Sequence, residues 1–202
     1  MSSKYHFLVR RFHSLLGLLP IGIFLAFHLT LNILATSSPE RYEKVINVMR
    51  ETPGIFVVEV VIIFLPILFH AIYGLIVVYS GGINTLRYTY YRNWFYVLQR
   101  LTGLFTLIFV AYHVFALRVD GETAKATVSA LTDFVRTPVG LIFYIVGVLS
   151  AIFHFANGLW AFLITWGITI GPRSQKISTW VCGAVFVILA GVAMKTLAQL
   201  IA

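Results

Sequence analysis

The sequence predicts an all-α membrane protein of five transmembrane helices, the first four forming a bundle with an internal parallel repeat and the fifth peripheral to it. Three observations carry this. The 202 residues are 59% hydrophobic and only 11% charged, against about 25% charged in soluble domains, and the mean hydropathy is +0.91. The apolar residues fall in runs long enough to cross a bilayer, each needing ~20 residues. Four histidines recur inside those runs at a nearly constant interval.

The first span runs from about Ser14 to Ala35 and stops before Ser37, Ser38 and Pro39. It follows Lys4, Arg10 and Arg11, as a signal peptide does, but it is too long for a signal h-region and contains His28. The second span runs from about Ile55 to Ser80, with Pro66 expected to kink it. The third covers about Gln99 to Arg118. The fourth starts near Pro138, a favoured first-turn proline, and ends near Thr169. The fifth covers about Ser178 to Ile201. Together they occupy residues 1–202 as one domain. No soluble catalytic domain is expected, so soluble chemistry would belong to a partner.

The formal net charge of +8 does not point to nucleic acid, because the basic residues flank apolar runs. Lys4, Arg10, Arg11, Arg87, Arg92, Arg100, Arg173 and Lys176 lie on the side of the N-terminus, with no acid. The other side carries Arg41, Lys44, Arg50, Arg118, Lys125, Arg136 and Lys195 with Glu40, Glu43, Glu51, Asp120, Glu122 and Asp133. The basic cluster ahead of the first span places the N-terminus in the cytoplasm and the C-terminus outside. The single cysteine, Cys182, excludes an internal disulfide, a four-cysteine cluster and the C-x-x-C-H attachment of c-type haem. It reads as a small core residue.

The repeat organises the histidines. Phe69-His70-x-x-x-Gly74-Leu75 returns as Phe153-His154-x-x-x-Gly158-Leu159, an offset of 84 (70 to 154). Arg11, Ser14, Gly17 and His28 in the first span return as Arg100, Thr102, Gly103 and His113 in the third, an offset of 85 (28 to 113). One operation therefore maps spans one and two onto three and four, with its axis along the membrane normal. His28 then faces His113 near the outer surface, and His70 faces His154 near the cytoplasm. At 1.5 Å per residue the two levels differ by roughly 12–15 Å. A lone intramembrane histidine is often only a helix–helix hydrogen-bonding group. Two repeat-related pairs on facing helices suit the two axial positions of haem iron instead. Zinc would want three or four ligands at one point. Gly74 and Gly158, one turn from their histidines, would leave room for a porphyrin edge. His6 and His13 have no repeat partner and are expected at the interface, where His13 could meet a cofactor's polar edge.

Glu59 is the one acid expected inside a span. It precedes His70 by 11 positions, about three turns, which predicts that the two share a face. An intramembrane carboxylate is a functional candidate, here for the proton path of a quinone site near the outer pair. Its bland alternative is contact with outer water or a neighbouring helix.

The motifs Arg11-x-His13-Ser14-Leu15-Leu16-Gly17, Leu98-Gln99-Arg100-Leu101-Thr102-Gly103, Phe153-His154-Phe155-Ala156-Asn157-Gly158-Leu159 and Thr165-Trp166-Gly167 resemble the dihaem cytochrome b558 subunits of Bacillus-type succinate dehydrogenase. The resemblance covers essentially the whole chain. It implies a membrane anchor, embedded in lipid, for a flavoprotein carrying FAD and an iron–sulfur protein. It also implies two b haems delivering electrons to menaquinone in the cell membrane. His70 and His154 would hold the cytoplasmic, higher-potential haem, and His28 and His113 the outer, lower-potential one. Arg11, Ser14, Gln99 and Arg100 are candidates for the haem propionates. The loop carrying Tyr88, Tyr90, Tyr91, Arg92, Trp94 and Tyr96 would serve as an aromatic belt or as the docking face for the iron–sulfur protein. Related fumarate reductases run the reaction in reverse. A haem subunit of a hydrogenase or nitrate reductase, and a haem-free transporter or anchor with relay histidines, are the other readings.

Overall fold

A computed structural model describes residues 3–119 and 124–202. Asp120 and Glu122 lie outside the described residues. Among those described there are only helices and their connections: α1 (Ser3–Leu18), α2 (Pro20–Ser37), α3 (Pro39–Glu51), α4 (Ile55–Glu59), α5 (Leu65–Ser80), α6 (Tyr91–Val119), α7 (Ala124–Val135), α8 (Pro138–Thr165) and α9 (Pro172–Ile201). One turn of π-helix, Val60–Phe64, joins α4 to α5. Five stretches are long and apolar enough to cross a membrane: Lys4–Leu34, Ile55–Ser80, Tyr91–Ala116, Pro138–Thr165 and Pro172–Ile201. The all-α, five-span plan read from the sequence is the plan found.

Prolines and glycines punctuate the spans. Pro20 has no N–H to give, so α1 and α2 form one bent span, bridged by Leu19 N–H to the Leu15 carbonyl at 2.9 Å and Ile23 N–H to the Leu19 carbonyl at 3.2 Å. Pro66 is accommodated differently. A proline ring collides with the carbonyl four residues earlier, and the preceding turn widens to π geometry, with the Leu65 N–H reaching the Val60 carbonyl. The fourth span stops at Thr165 rather than near Thr169. Gly167 takes φ +72°, and the Ile168 N–H closes on the Leu163 carbonyl at 2.9 Å while the Gly167 N–H meets that of Ile164 at 3.0 Å. This is a Schellman stop, which needs a left-handed residue at that point.

Three spans begin earlier than the apolar runs that betray them. The first starts at Ser3 rather than Ser14, the third at Tyr91 rather than Gln99, and the fifth at Pro172 rather than Ser178. Hydropathy marks where hydrocarbon begins, whereas a helix continues into the interface as long as its own carbonyls accept its N–H groups. α3 and α7 were not anticipated. Both lie between spans, and they pack against each other.

Helix α8 is the central element, burying Gly140, Tyr144, Gly147, Ser150, Ile152 and Ala156. It packs against α6, α9 and α1. The neighbours respect the repeat: α1 meets α5 as α6 meets α8, and α1 meets α8 as α5 meets α6. Helix α9 lies along α8 and α2. It adds Leu197 and Leu200 to a core with Phe109, Val135 and Tyr144. Its Ala193 joins a second core with Leu29 and Ile152. Cys182 is buried and free, as its reading as a core residue expects.

Close approach of α6 and α8 depends on Gly147. A methyl group there would stand 2.2 Å from Cδ2 of Phe109. Gly147→Val is therefore expected to cost about 1–3 kcal/mol of stability through overpacking, seen as a lower midpoint in thermal unfolding of the detergent-solubilised protein. An unchanged midpoint would contradict this packing.

Candidate functional site

The four histidines meet as the repeat requires. The rings of His70 on α5 and His154 on α8 have centroids 6.0 Å apart and planes at 89°. Those of His28 on α2 and His113 on α6 are 5.7 Å apart at 83°. Among the described residues no three His, Cys, Asp or Glu side chains gather at one point, so the donors come as pairs. Tyr144, at the level of the outer pair, precedes His154 by ten residues on α8, which separates the levels by about 15 Å.

The His70–His154 pair is held by backbone. Nδ1 of His70 lies 3.0 Å from the His13 carbonyl, and Nδ1 of His154 lies 3.0 Å from the Gln99 carbonyl. A carbonyl only accepts, so each Nδ1 carries the proton and donates it. The lone pair of each ring is then on Nε2. Glycines make this approach possible. A methyl at Gly17 would stand 2.5 Å from Cε1 of His70, and one at Gly103 would stand 2.9 Å from Cε1 of His154. Gly17 and Gly103 marked the repeat in the sequence, but their part in seating the histidines was missed. At Gly74 and Gly158 a methyl would meet Nε2 of His13 or Nε2 of Gln99, each at 3.4 Å. They make room for those two repeat-related side chains.

The outer pair is held by side chains. Nδ1 of His113 lies 3.1 Å from the Tyr144 hydroxyl. Nδ2 of Asn32, one turn along α2, lies 3.0 Å from Nε2 of His28. The lone pair that this amide meets is the one a metal would take. Phenylalanines flank both rings at repeat-related positions, Phe24 beside His28 at 5.4 Å and Phe109 beside His113 at 5.5 Å.

The remaining site residues gather at the His70–His154 end of the bundle. Ser14 donates to the Arg11 carbonyl at 2.8 Å and accepts from Nε1 of Trp166 at 3.1 Å. Arg11 lies over Phe7 at 4.9 Å and over Trp166 at 5.2 Å. Gln99 donates to the His154 carbonyl at 2.9 Å and accepts from Asn157 at 2.8 Å. Arg100 lies 3.5 Å over the Tyr96 ring, and its Nε is buried without a hydrogen-bond partner. His13, expected at the interface, is instead stacked on His70 at 4.0 Å and 6°, with Nε2 buried and unpartnered. Its sequence signal was its alignment with Gln99, within two residues of the repeat offset.

The π turn alters the position of Glu59. Widening one turn to i→i+5 removes about a quarter-turn of rotation between Glu59 and His70. The shared face expected from 3.6 residues per turn is therefore not kept. The depth is kept, since 11 residues still separate Glu59 from His70 and bring it to the level of the outer pair.

Haem iron fits these pairs. Two imidazoles on opposite sides of one metal, with bonds of about 2 Å each, have ring centroids about 6 Å apart. Both pairs have that spacing, and the fixed Nδ1 protons of His70 and His154 leave their Nε2 atoms available.

Fold and site together define a class, a multi-span membrane subunit with paired imidazoles inside its bundle. Residues 83–193 match the family described as succinate dehydrogenase/fumarate reductase transmembrane subunit. The succinate dehydrogenase cytochrome b558 subunit of Bacillus subtilis is 46% identical over 198 residues, 98% of each chain. The succinate dehydrogenase 2 membrane subunit of Mycobacterium tuberculosis is 35% identical over 110 residues, 50% of this chain and 76% of its own. The chain belongs to the succinate dehydrogenase/fumarate reductase transmembrane subunit family.

The seating glycines give a direct test. Gly103→Val puts carbon atoms where the His154 ring stands. The expected outcome is a haem content lower than that of the parent protein. Full haem content in that variant would contradict the close approach.

Proposed function

We propose that this chain is the cytochrome b558 anchor of a succinate dehydrogenase and binds two b haems, one on His70 and His154 and one on His28 and His113. The observation that carries this is the pairing of all four histidines across the bundle at 6.0 and 5.7 Å. When bound, the haems supply one-electron carriers between the iron–sulfur subunit and menaquinone. The protein's part is to hold and orient them. The carbonyls of His13 and Gln99 fix the tautomers of His70 and His154. Arg100, with an unsatisfied Nε, supports a propionate role better than Ser14 or Gln99, whose polar atoms already have protein partners.

The N-terminus and the α5–α6 and α8–α9 loops are read as cytoplasmic, on the acid-free cluster of basic residues. The α5–α6 loop is the docking surface for the iron–sulfur subunit. Its Ile83 and Leu86 are exposed apolar residues outside a span, beside exposed Tyr88 and Tyr90, and such side chains mark contact surfaces. Asn93 shapes this loop by donating to Oδ1 of Asn84 at 3.0 Å and to the Tyr88 carbonyl at 2.6 Å.

A pyridine haemochrome assay on the purified complex is expected to find two non-covalent haems per chain. His70→Ala or His154→Ala should remove one, and His28→Ala or His113→Ala the other. One haem in the parent complex would refute the stoichiometry. Both haems surviving in all four variants would refute the ligands.

Glu59 is proposed for the proton path of a menaquinone site near the outer pair. Its support is a carboxyl inside a span, half-buried at the level of His28 and His113. Glu59→Gln keeps the shape and removes the ionisable group. Haem content and succinate oxidation with an artificial acceptor should hold, while quinone reduction falls by at least about tenfold, the low side for a lost proton-transfer group. Unchanged quinone reduction would remove Glu59 from the path.

A further inference from the structure

Resting on the two-haem reading, we propose that Tyr144 is a positioning residue for the outer haem, its hydroxyl holding Nδ1 of His113 and fixing the edge that ring turns toward His28. The cytoplasmic histidines need no such side chain, because the His13 and Gln99 carbonyls serve them at repeat-related places. The outer pair has the Tyr144 hydroxyl at 3.1 Å from His113. The repeat offers no second copy of it: 84 positions earlier stands Val60, the first residue of the π turn. The hydroxyl therefore makes the two outer histidines inequivalent.

The ring that carries this hydroxyl cannot wander. Tyr144 is 4% exposed. It packs edge-on against Phe109 at 5.2 Å and Phe134 at 6.0 Å. Val135, fully buried on α7, and Leu197 and Leu200 on α9 close the same cluster. A hydroxyl in such apolar surroundings is costly unless hydrogen-bonded, and His113 answers it. With Nε2 directed to a metal, Nδ1 donates to the phenol oxygen. That bond sets the ring's rotation and raises the basicity of Nε2, as outer partners of ligating histidines do. A more basic ligand stabilises the ferric state and lowers the reduction potential. Because α7 supplies Phe134 and Val135, a helix outside the bundle holds the group that tunes the outer site.

The test uses the complete purified complex carrying Tyr144→Phe. Its haems are followed by redox titration and by the highest-g signals in low-temperature electron paramagnetic resonance, with the outer signal assigned from His113→Ala. The expected result is two haems per chain, an outer haem whose potential rises and whose highest-g signal moves, and an unmoved cytoplasmic haem. Selective loss of the outer haem would also support the role. Two haems with both potentials and both signals unchanged would overturn it. If the Phe variant assembles no complex, Tyr144→Gln decides, since it keeps an acceptor and discards the ring. Retention of the outer haem there supports the proposal, and its loss shows that ring packing rather than the hydroxyl matters. A parent complex with no haem would instead defeat the two-haem reading itself.

Discussion

An imidazole nitrogen in hydrocarbon is costly to leave without a partner, and this constraint organises the bundle. Water is absent there, and an unpaired polar atom costs several kcal/mol. His70 and His154 meet the constraint on one side with a backbone carbonyl, and their rings stand 6.0 Å apart. The carbonyls come from α1 and α6, so those helices must approach within hydrogen-bonding distance of a ring on α5 or α8. Only a residue without a side chain permits that approach, which accounts for Gly17 and Gly103. The histidine, the glycine and the accepting carbonyl four residues before the glycine form one unit, used twice.

The two uses are nearly identical around His70 and His154 and diverge around His28 and His113. Stacked phenylalanines beside His28 and His113 still follow the repeat. Beyond them the halves part. The first half enters its second helix through a π turn forced open ahead of Pro66. The second half runs as regular helix from a Thr137 cap whose hydroxyl accepts the Gly140 N–H at 3.1 Å. The outer histidines accordingly have unlike partners, Asn32 for one and Tyr144 for the other. Backbone support is hard for substitution to change, whereas side-chain support is open to it. The outer site is thus the one whose properties sequence variation can adjust without dismantling the fold.

Much of this was legible in the sequence because each signal had a physical period. Apolar runs gave the spans, and the 84–85 offset paired histidines that lie far apart in the chain. What stayed illegible depended on geometry that no period encodes. The π turn shifts every residue before it by about a quarter-turn relative to those after it, so the depth assigned to Glu59 is kept and the face assigned to it is not. Gly74 and Gly158 shared a face with the histidines, but that face also meets a neighbouring helix, and proximity in sequence did not say which surface the glycine clears. His13 looked interfacial because it stands two residues after Arg11. Its place on α1 sets its ring against that of His70. α3 and α7 lacked the length of a span and were invisible to a search for spans.

In lipid the hydrophobic effect does not draw helices together, because tails are as apolar as leucine. Each span here bears large exposed apolar side chains, such as Phe27, Ile72, Phe105, Ile142 and Ile188, which suit lipid and give no reason for the helices to associate. What does favour association lies inside: small residues that bring backbones close, edge-on aromatic pairs, and the polar atoms of the histidine units. The first core cluster gathers Phe109, Tyr144, Val135, Leu197 and Leu200 around the outer pair, so the best-packed apolar region is also the one that fixes a candidate ligand. Helix α9 carries no histidine, yet it closes that cluster and, through Ala193, its neighbour. Its role follows from the same logic. A fifth helix against α8 and α2 adds dense packing beside the paired histidines.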